Sequence, residues 1–235
     1  MLATIINGIA IIVGGIIGTL SGNKISQRFT KSIMTVMGFI TACIGIQGAA
    51  GAKSFLVLVL SMVFGTIIGM LLNLDDRINN AGDWAKSKLE KTPLGKGPFS
   101  EALVTSSMLF GIGTMAILGS IRAGLDHDYS ILLTKSTMDF ISAIAFSSAL
   151  GSGVIFSFIP VCLFQGIITL LAGAAEPILT PEVINEMSAV GGPIFLAMAA
   201  NLTEIKADHF KVGDMLPAIF LPIILVPLTK LVGLM

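Results

Sequence analysis

The chain reads as an all-α, polytopic helical membrane protein with about eight (seven to eight) transmembrane helices. Hydrophobic residues make up 54% of it and charged residues only 12%, about half the charged share of a soluble domain. Mean hydropathy is +0.93. Apolar runs of about 20 residues, enough to cross a hydrocarbon core, recur along the whole sequence.

Eight runs reach that length: 2–20, 31–50, 54–73, 101–121, 131–150, 154–174, 184–202 and 214–234. The links at Lys53 and at Gly151-Ser152-Gly153 are very short. Each flanking pair is a helical hairpin, or one member is re-entrant, which makes seven the rival count. Lys and Arg in short loops set orientation. Loops 21–30 (with Lys31 at the edge), 74–100, 151–153 and 203–213 hold ten of them, against Lys53, Arg122 and Lys230 on the opposite side. That puts the basic loops in the cytoplasm and both termini outside. No cleavable signal peptide is expected, because the first apolar run lacks a basic lead and a small-residue cleavage site.

Formal net charge is zero, so bulk charge argues neither for nor against nucleic acid. The partners expected are the lipid bilayer and a small solute or ion, with no nucleic acid. Cys43 and Cys162 sit mid-run without a second ligand at metal spacing, and read as small buried hydrophobes. No metal and no cofactor is expected.

The first span carries Ala10, Gly14, Gly18 and Gly22 at every fourth position, a ridge that lets a neighbouring helix approach closely. Such ridges are also compatible with a homo-oligomer. Asn7 falls on roughly the same face and points into the bundle; helix packing is its plainer role and a site ligand the sharper one. In loop 75–91, Ile78, Ala81, Ala85 and Leu89 share a helical face beside Trp84, the sole tryptophan, which suits a short interfacial helix on the cytoplasmic leaflet. Residues 92–98 then punctuate the chain. Gly111, Gly113 and Gly119 in the fourth span predict tight packing. Asp126, His127 and Asp128 beyond it read as a solvated turn. In the C-terminal half, Pro160, Gly191-Gly192-Pro193 and prolines 217, 222 and 227 predict kinked or interrupted helices, since each proline removes a helical hydrogen bond.

A repeat also shows. Gly15–Gly22 matches Gly166–Gly173 at five of eight positions, and spans 1–3 then correspond to spans 6–8 in opposite orientation, as in inverted-repeat transporters. A competing match pairs Ser61–Gly65 with Ser107–Gly111. On the first pairing, the single transmembrane domain 1–235 divides into repeat unit 1–73, cytoplasmic interfacial loop 74–100, central two-helix unit 101–153 and repeat unit 154–235.

The chemistry concentrates at Lys135 and Asp139, four residues apart inside the fifth run. Asp139 lies about two turns in, roughly 12 Å deep. An isolated charge at the bilayer centre costs about 2.5–3.5 kcal/mol on insertion scales. Lys135 can snorkel outward, whereas Asp139 is too short to do so. Three roles compete: mutual neutralisation, in the weaker Lys-before-Asp order on a helix; Asp139 pinning a neighbouring helix; or Asp139 as a proton or cation site with Lys135 as counter-ion or anion ligand. Gln165 and Glu186, with Asn7 and Asn201 behind them, are the further polar candidates for substrate or ion binding.

The runs Gly111–Ser120, Lys135–Asp139, Gly151–Pro160 and Gln165-Gly166, together with Asn7 to Gly22 and Leu216-Pro217, resemble a bacterial integral membrane family that includes the YdfK and YqgA proteins, a domain of unknown function. The resemblance covers essentially the whole chain and implies a bacterial inner-membrane protein; it carries over no site residue. The function expected is a small secondary transporter, proton- or cation-coupled, for a small solute or ion. A channel or pore-forming oligomer and a scaffold without transport activity are the alternatives. No enzyme is expected: both histidines lie in loops, and no His-Glu-x-x-His or Gly-x-Ser-x-Gly occurs.

Overall fold

A computed structural model of the chain describes residues 1–22, 27–89, 99–203 and 209–233. Lys24, Lys91, Lys96 and Lys206, which weigh in the orientation, lie outside the described residues, as do residues 92–98. The described residues hold helices and no strand. In chain order these are α1 (Leu2–Gly22), α2 (Gln27–Ala50), α3 (Phe55–Leu71), α4 (Leu74–Leu89), α5 (Phe99–Gly111), α6 (Thr114–Leu125), α7 (Ser130–Leu150), α8 (Gly153–Phe156), α9 (Phe158–Leu170), α10 (Ala172–Ala175), α11 (Pro181–Leu202), a 3₁₀ segment (Val212–Phe220) and α12 (Pro222–Leu231). Each of the eight apolar runs is therefore helical, and the all-α polytopic class holds.

By length and composition, three continuous stretches cross a bilayer unaided: Leu2–Gly22, Gly153–Leu170 and Pro181–Leu202. Three bent pairs raise the total to six if each is one span: α3 with α4 (61°), α5 with α6 (58°) and the 3₁₀ segment with α12 (44°). The two runs left over are α2, whose apolar part is Met34–Ala50, and α7, which carries Lys135 and Asp139.

The bends only partly follow the prolines. Pro222 opens α12 after the break, where its missing N–H is not needed. Pro193, however, lies inside an uninterrupted α11. The other two breaks use left-handed or glycine-only backbone. Asn73 (φ 49°) ends α3, a conformation that asparagine tolerates at a helix C-terminus. Gly113 (φ 143°) separates α5 from α6. A Cβ at Gly111 or Gly113 would meet nothing within 4 Å, whereas at Gly119 it would meet Ile131 and Leu132 at 3.0 Å. Of the three glycines expected to pack tightly, only Gly119 does so.

The chain forms two compact units: residues 1–34 with 78–175, and residues 35–77 with 176–235. In the first, α1 lies along α7. A Cβ on Gly14, Gly18 or Gly22 would strike the carbonyls of Phe140, Ile144 and Ser148 in turn. Both sets advance by four, so the two helices run in the same direction with backbones nearly touching. The expected ridge is real, and α7 occupies it. Thr19 and Ser147 hydroxyls meet at 2.7 Å, and Ser147 also donates to the Gly15 carbonyl at 2.7 Å. Helices α8 and α9 run the other way along α1: Gly8 faces Cys162 and Phe158 of α9, and Gly15 faces Ile155 of α8. Gly151 (φ 89°) turns α7 into α8.

In the second unit, α3 starts under Ser54, whose hydroxyl accepts from the Val57 amide at 3.3 Å, and α11 starts under Thr180, which accepts from the Val183 amide at 3.4 Å; both are ordinary N-caps. Gly65 and Gly69 abut the backbone of Ala218 and Asp214, so α3 and the 3₁₀ segment are antiparallel. Gly45 and Gly48 abut Gly192 while Gly38 meets Ala199 and Thr203, which makes α2 and α11 antiparallel too. Two helix starts cap each other: the Asp75 amide donates to Asp214 at 3.0 Å, and the Gly213 amide donates to Asp75 at 2.8 Å.

Candidate functional site

Four of the six candidate residues meet in the first unit. Lys135 and Asp139 stand one turn apart on the inward face of α7, both buried at 6% and 5% exposure. The Lys135 ammonium donates to Asp139 Oδ2 at 2.5 Å. From α1, Asn7 Nδ2 donates to the same Oδ2 at 3.0 Å and to Gln165 Oε1 on α9 at 3.3 Å. Asn7 and Gln165 are fully buried. The glycine ridge explains the convergence. Close approach of α1 to α7 lets a side chain as short as asparagine reach an equally short aspartate.

The cluster is neutral as a pair yet incompletely satisfied. Asn7 Oδ1 and Gln165 Nε2 have no hydrogen-bond partner, and neither do the hydroxyls of Thr4 and Thr169. Thr4 lies one turn from Asn7 on α1 and Thr169 one turn from Gln165 on α9. Sequence reasoning passed over both threonines. The signal was available as i−3 and i+4 spacing from the two amides, but threonine is too common in apolar helices to stand out alone.

The other two candidates belong to the second unit. Glu186 is fully buried on α11, and its Oε1 accepts from the backbone amides of Lys53 at 2.7 Å and Ser54 at 3.1 Å, where α3 begins. Its Oε2 has no partner. Beside it, Asn185 donates to the Gly51 carbonyl at 2.9 Å. Together they tie down the α2–α3 link. Asn201 makes a two-bond clasp with the backbone of Phe210, donating at 3.0 Å and accepting at 2.8 Å. Among the described residues, no three His, Cys, Asp or Glu side chains come together in a metal-holding group.

A family described as "Protein of unknown function (DUF554)" matches residues 2–227. The chain belongs to this family. It is 31% identical over 238 residues to "Uncharacterized membrane protein YdfK" of Bacillus subtilis (strain 168), covering 100% of this chain and 99% of that one. It is likewise 31% identical over 219 residues to "Uncharacterized protein YqgA" of Escherichia coli (strain K12), covering 92% of each chain. No solved structure matches. The expected family is therefore the one found, and the membrane character of this DUF554 chain agrees with the name of one relative and with the apolar helices. The DUF554 description names no activity, so the chemistry rests on the cluster around Asp139.

Proposed function

We propose that the protein is a small secondary transporter of the bacterial inner membrane, coupled to a proton or cation, and not an enzyme. The observation that carries this is the Lys135–Asp139 pair, buried in an apolar bundle and joined by Asn7 and Gln165 from two further helices. Ionisable groups at such depth are expensive and serve pathways and relays by default. Two helices bond the Asp139 carboxylate and a third joins them through Asn7, a site whose occupancy affects their packing, as alternating access requires.

The inverted repeat gains support from the pairings. Spans 1, 2 and 3 correspond to spans 6, 7 and 8, and α1 packs antiparallel to α9, α2 to α11 and α3 to the 3₁₀ segment. We read both termini as external, the basic loops as cytoplasmic, and the partners as the bilayer and a small solute or ion. The glycine ridge of α1 is taken by α7, so a homo-oligomer would need another surface.

Flux of candidate solutes and ions into proteoliposomes tests the proposal. Saturable, pH- or cation-dependent uptake that Asp139→Asn abolishes while the protein remains folded is the expected result. Uptake unchanged in that variant removes Asp139 from the mechanism, and stepwise single-channel currents would replace the transporter with a pore.

A further inference from the structure

The unsatisfied atoms on α1 and α9, the two helices that Asn7 and Gln165 join to α7, are mostly oxygens. Asn7 Oδ1, Thr4 Oγ1 and Thr169 Oγ1 are buried without a partner, on residues exposed by 0%, 1% and 6%. Helix register groups them. Asn7, Asp139 and Gln165 form one layer. One turn away, α1 contributes Thr4 and α7 contributes Lys135, while antiparallel α9 contributes Thr169. Each helix thus gives one polar residue to each of two adjacent layers.

A donor set of one carboxylate, one amide oxygen and two hydroxyls is hard, and suits a hard cation more than a soft one. Asp139 is its single carboxylate, so only a singly charged ion leaves the low-dielectric site neutral; a divalent ion would leave a net buried charge. Lys135 now fills that role with its own ammonium. Its four-carbon stem, one turn inside the span, allows the head group to swing toward the membrane surface.

We infer that the cluster is a monovalent alkali-cation site in which the ion, held by Asp139, Asn7, Thr4 and Thr169, exchanges with the Lys135 ammonium. The inference rests on the transporter reading and names its coupling ion. Asp139 holds the mobile cation or the tethered one, never both, and this exclusion gives the two loading states that coupled exchange needs.

The test is thermal unfolding of the purified full-length protein in detergent with NaCl, LiCl or KCl, choline chloride holding ionic strength constant. The expected result is a saturable rise in midpoint for at least one alkali ion, absent in Asp139→Asn. Lys135→Met removes the tethered competitor and tightens the apparent affinity at least tenfold. Thr4→Val and Thr169→Val replace unbonded hydroxyls by methyl groups, so both fold, and each weakens the ion response about tenfold without lowering the ion-free midpoint. An unchanged ion response in both valine variants overturns the inference. So does a wild-type protein indifferent to all three ions. Proteoliposome flux separates the two levels: Asp139-dependent uptake that is independent of alkali ions overturns the ion assignment alone, whereas ion binding with uptake unaffected by Asp139→Asn overturns the transporter reading.

Discussion

Removing one member of the Lys135–Asp139 pair should be far more harmful than removing both. Each side chain is less than a tenth exposed, and an uncompensated buried charge typically destabilises by about 3–5 kcal/mol, while replacing a whole buried pair by apolar groups of similar volume is close to neutral. The two single changes should also differ. After Asp139→Leu, the orphaned lysine is little more than one turn from the start of α7 and its long stem can carry the charge outward, which places the loss near the lower limit, about 3 kcal/mol. After Lys135→Met, the orphaned aspartate cannot reach the surface and keeps only the Asn7 amide, which places the loss near about 5 kcal/mol. The double variant should unfold close to wild type, which with these two losses means a coupling energy of about 8 kcal/mol.

Reversible unfolding in mixed micelles, followed by a helix-sensitive probe, measures all four corners of the cycle. Additivity within about 0.5 kcal/mol would show that the two groups do not compensate each other in the membrane. Equal losses, or a larger loss for Asp139→Leu, would refute the depth argument. The double variant has a second use: it removes the charges while keeping the fold, so its expected loss of coupled flux separates function from stability.

Gly18→Ala should loosen the α1–α7 seam by about 1–3 kcal/mol, because the new methyl group meets the backbone carbonyl of Ile144, which cannot step aside; Gly173→Ala, where nothing lies within 4 Å, should stay within about 0.5 kcal/mol in the same unfolding assay. Glu186→Gln keeps an oxygen for the Lys53 and Ser54 amides and should unfold near wild type, while Glu186→Ala leaves those two amides without their acceptor, about 1–3 kcal/mol each; lost flux in a stable Gln variant would instead make Glu186 part of the transport site. Asp128 outside the spans is held below the usual carboxylate range, chiefly by the Ser130 hydroxyl and amide. Its folded form is thus favoured above the unfolded value near pH 4, and that contribution disappears as pH falls through the lower folded value. In Ser130→Ala, the Asp128 carboxyl carbon shift should titrate at higher pH than in the wild type.

Much of this arrangement was legible in the residues themselves. Periodicity marked α1's small-residue face, and Asn7's position on it placed an amide inside the bundle. The four-residue spacing of Lys135 and Asp139 placed both on one face of α7. What periodicity does not report is which of two uses a glycine serves. Gly119 and Gly113 look alike in sequence, yet one admits a neighbouring side chain and the other adopts φ 143° and breaks the helix. Asn73 likewise gave no warning, because nothing local distinguishes a left-handed asparagine from a helical one. Glu186 and Asn201 were drawn toward the site by their polarity alone. Their partners turned out to be backbone groups of short links, a need that only the folded chain exposes.

What the cluster leaves undone favours function over scaffolding. A network kept only to fix helix register would gain by satisfying every member, since a partly satisfied buried network is worse than an apolar core. Here the opposite holds. Two cationic or amide donors converge on one oxygen of Asp139, while one amide oxygen, one amide nitrogen and two hydroxyls a turn apart have no partner at all. Leaving a buried group unmade costs about 1–3 kcal/mol, and single Thr→Val changes would remove two of these penalties. A transport site accepts that cost because its groups are satisfied in a second state, when the ligand is aboard. Thr4→Val and Thr169→Val should therefore raise stability without ions while weakening the ion response, a pairing of gain and loss that a structural cluster cannot produce.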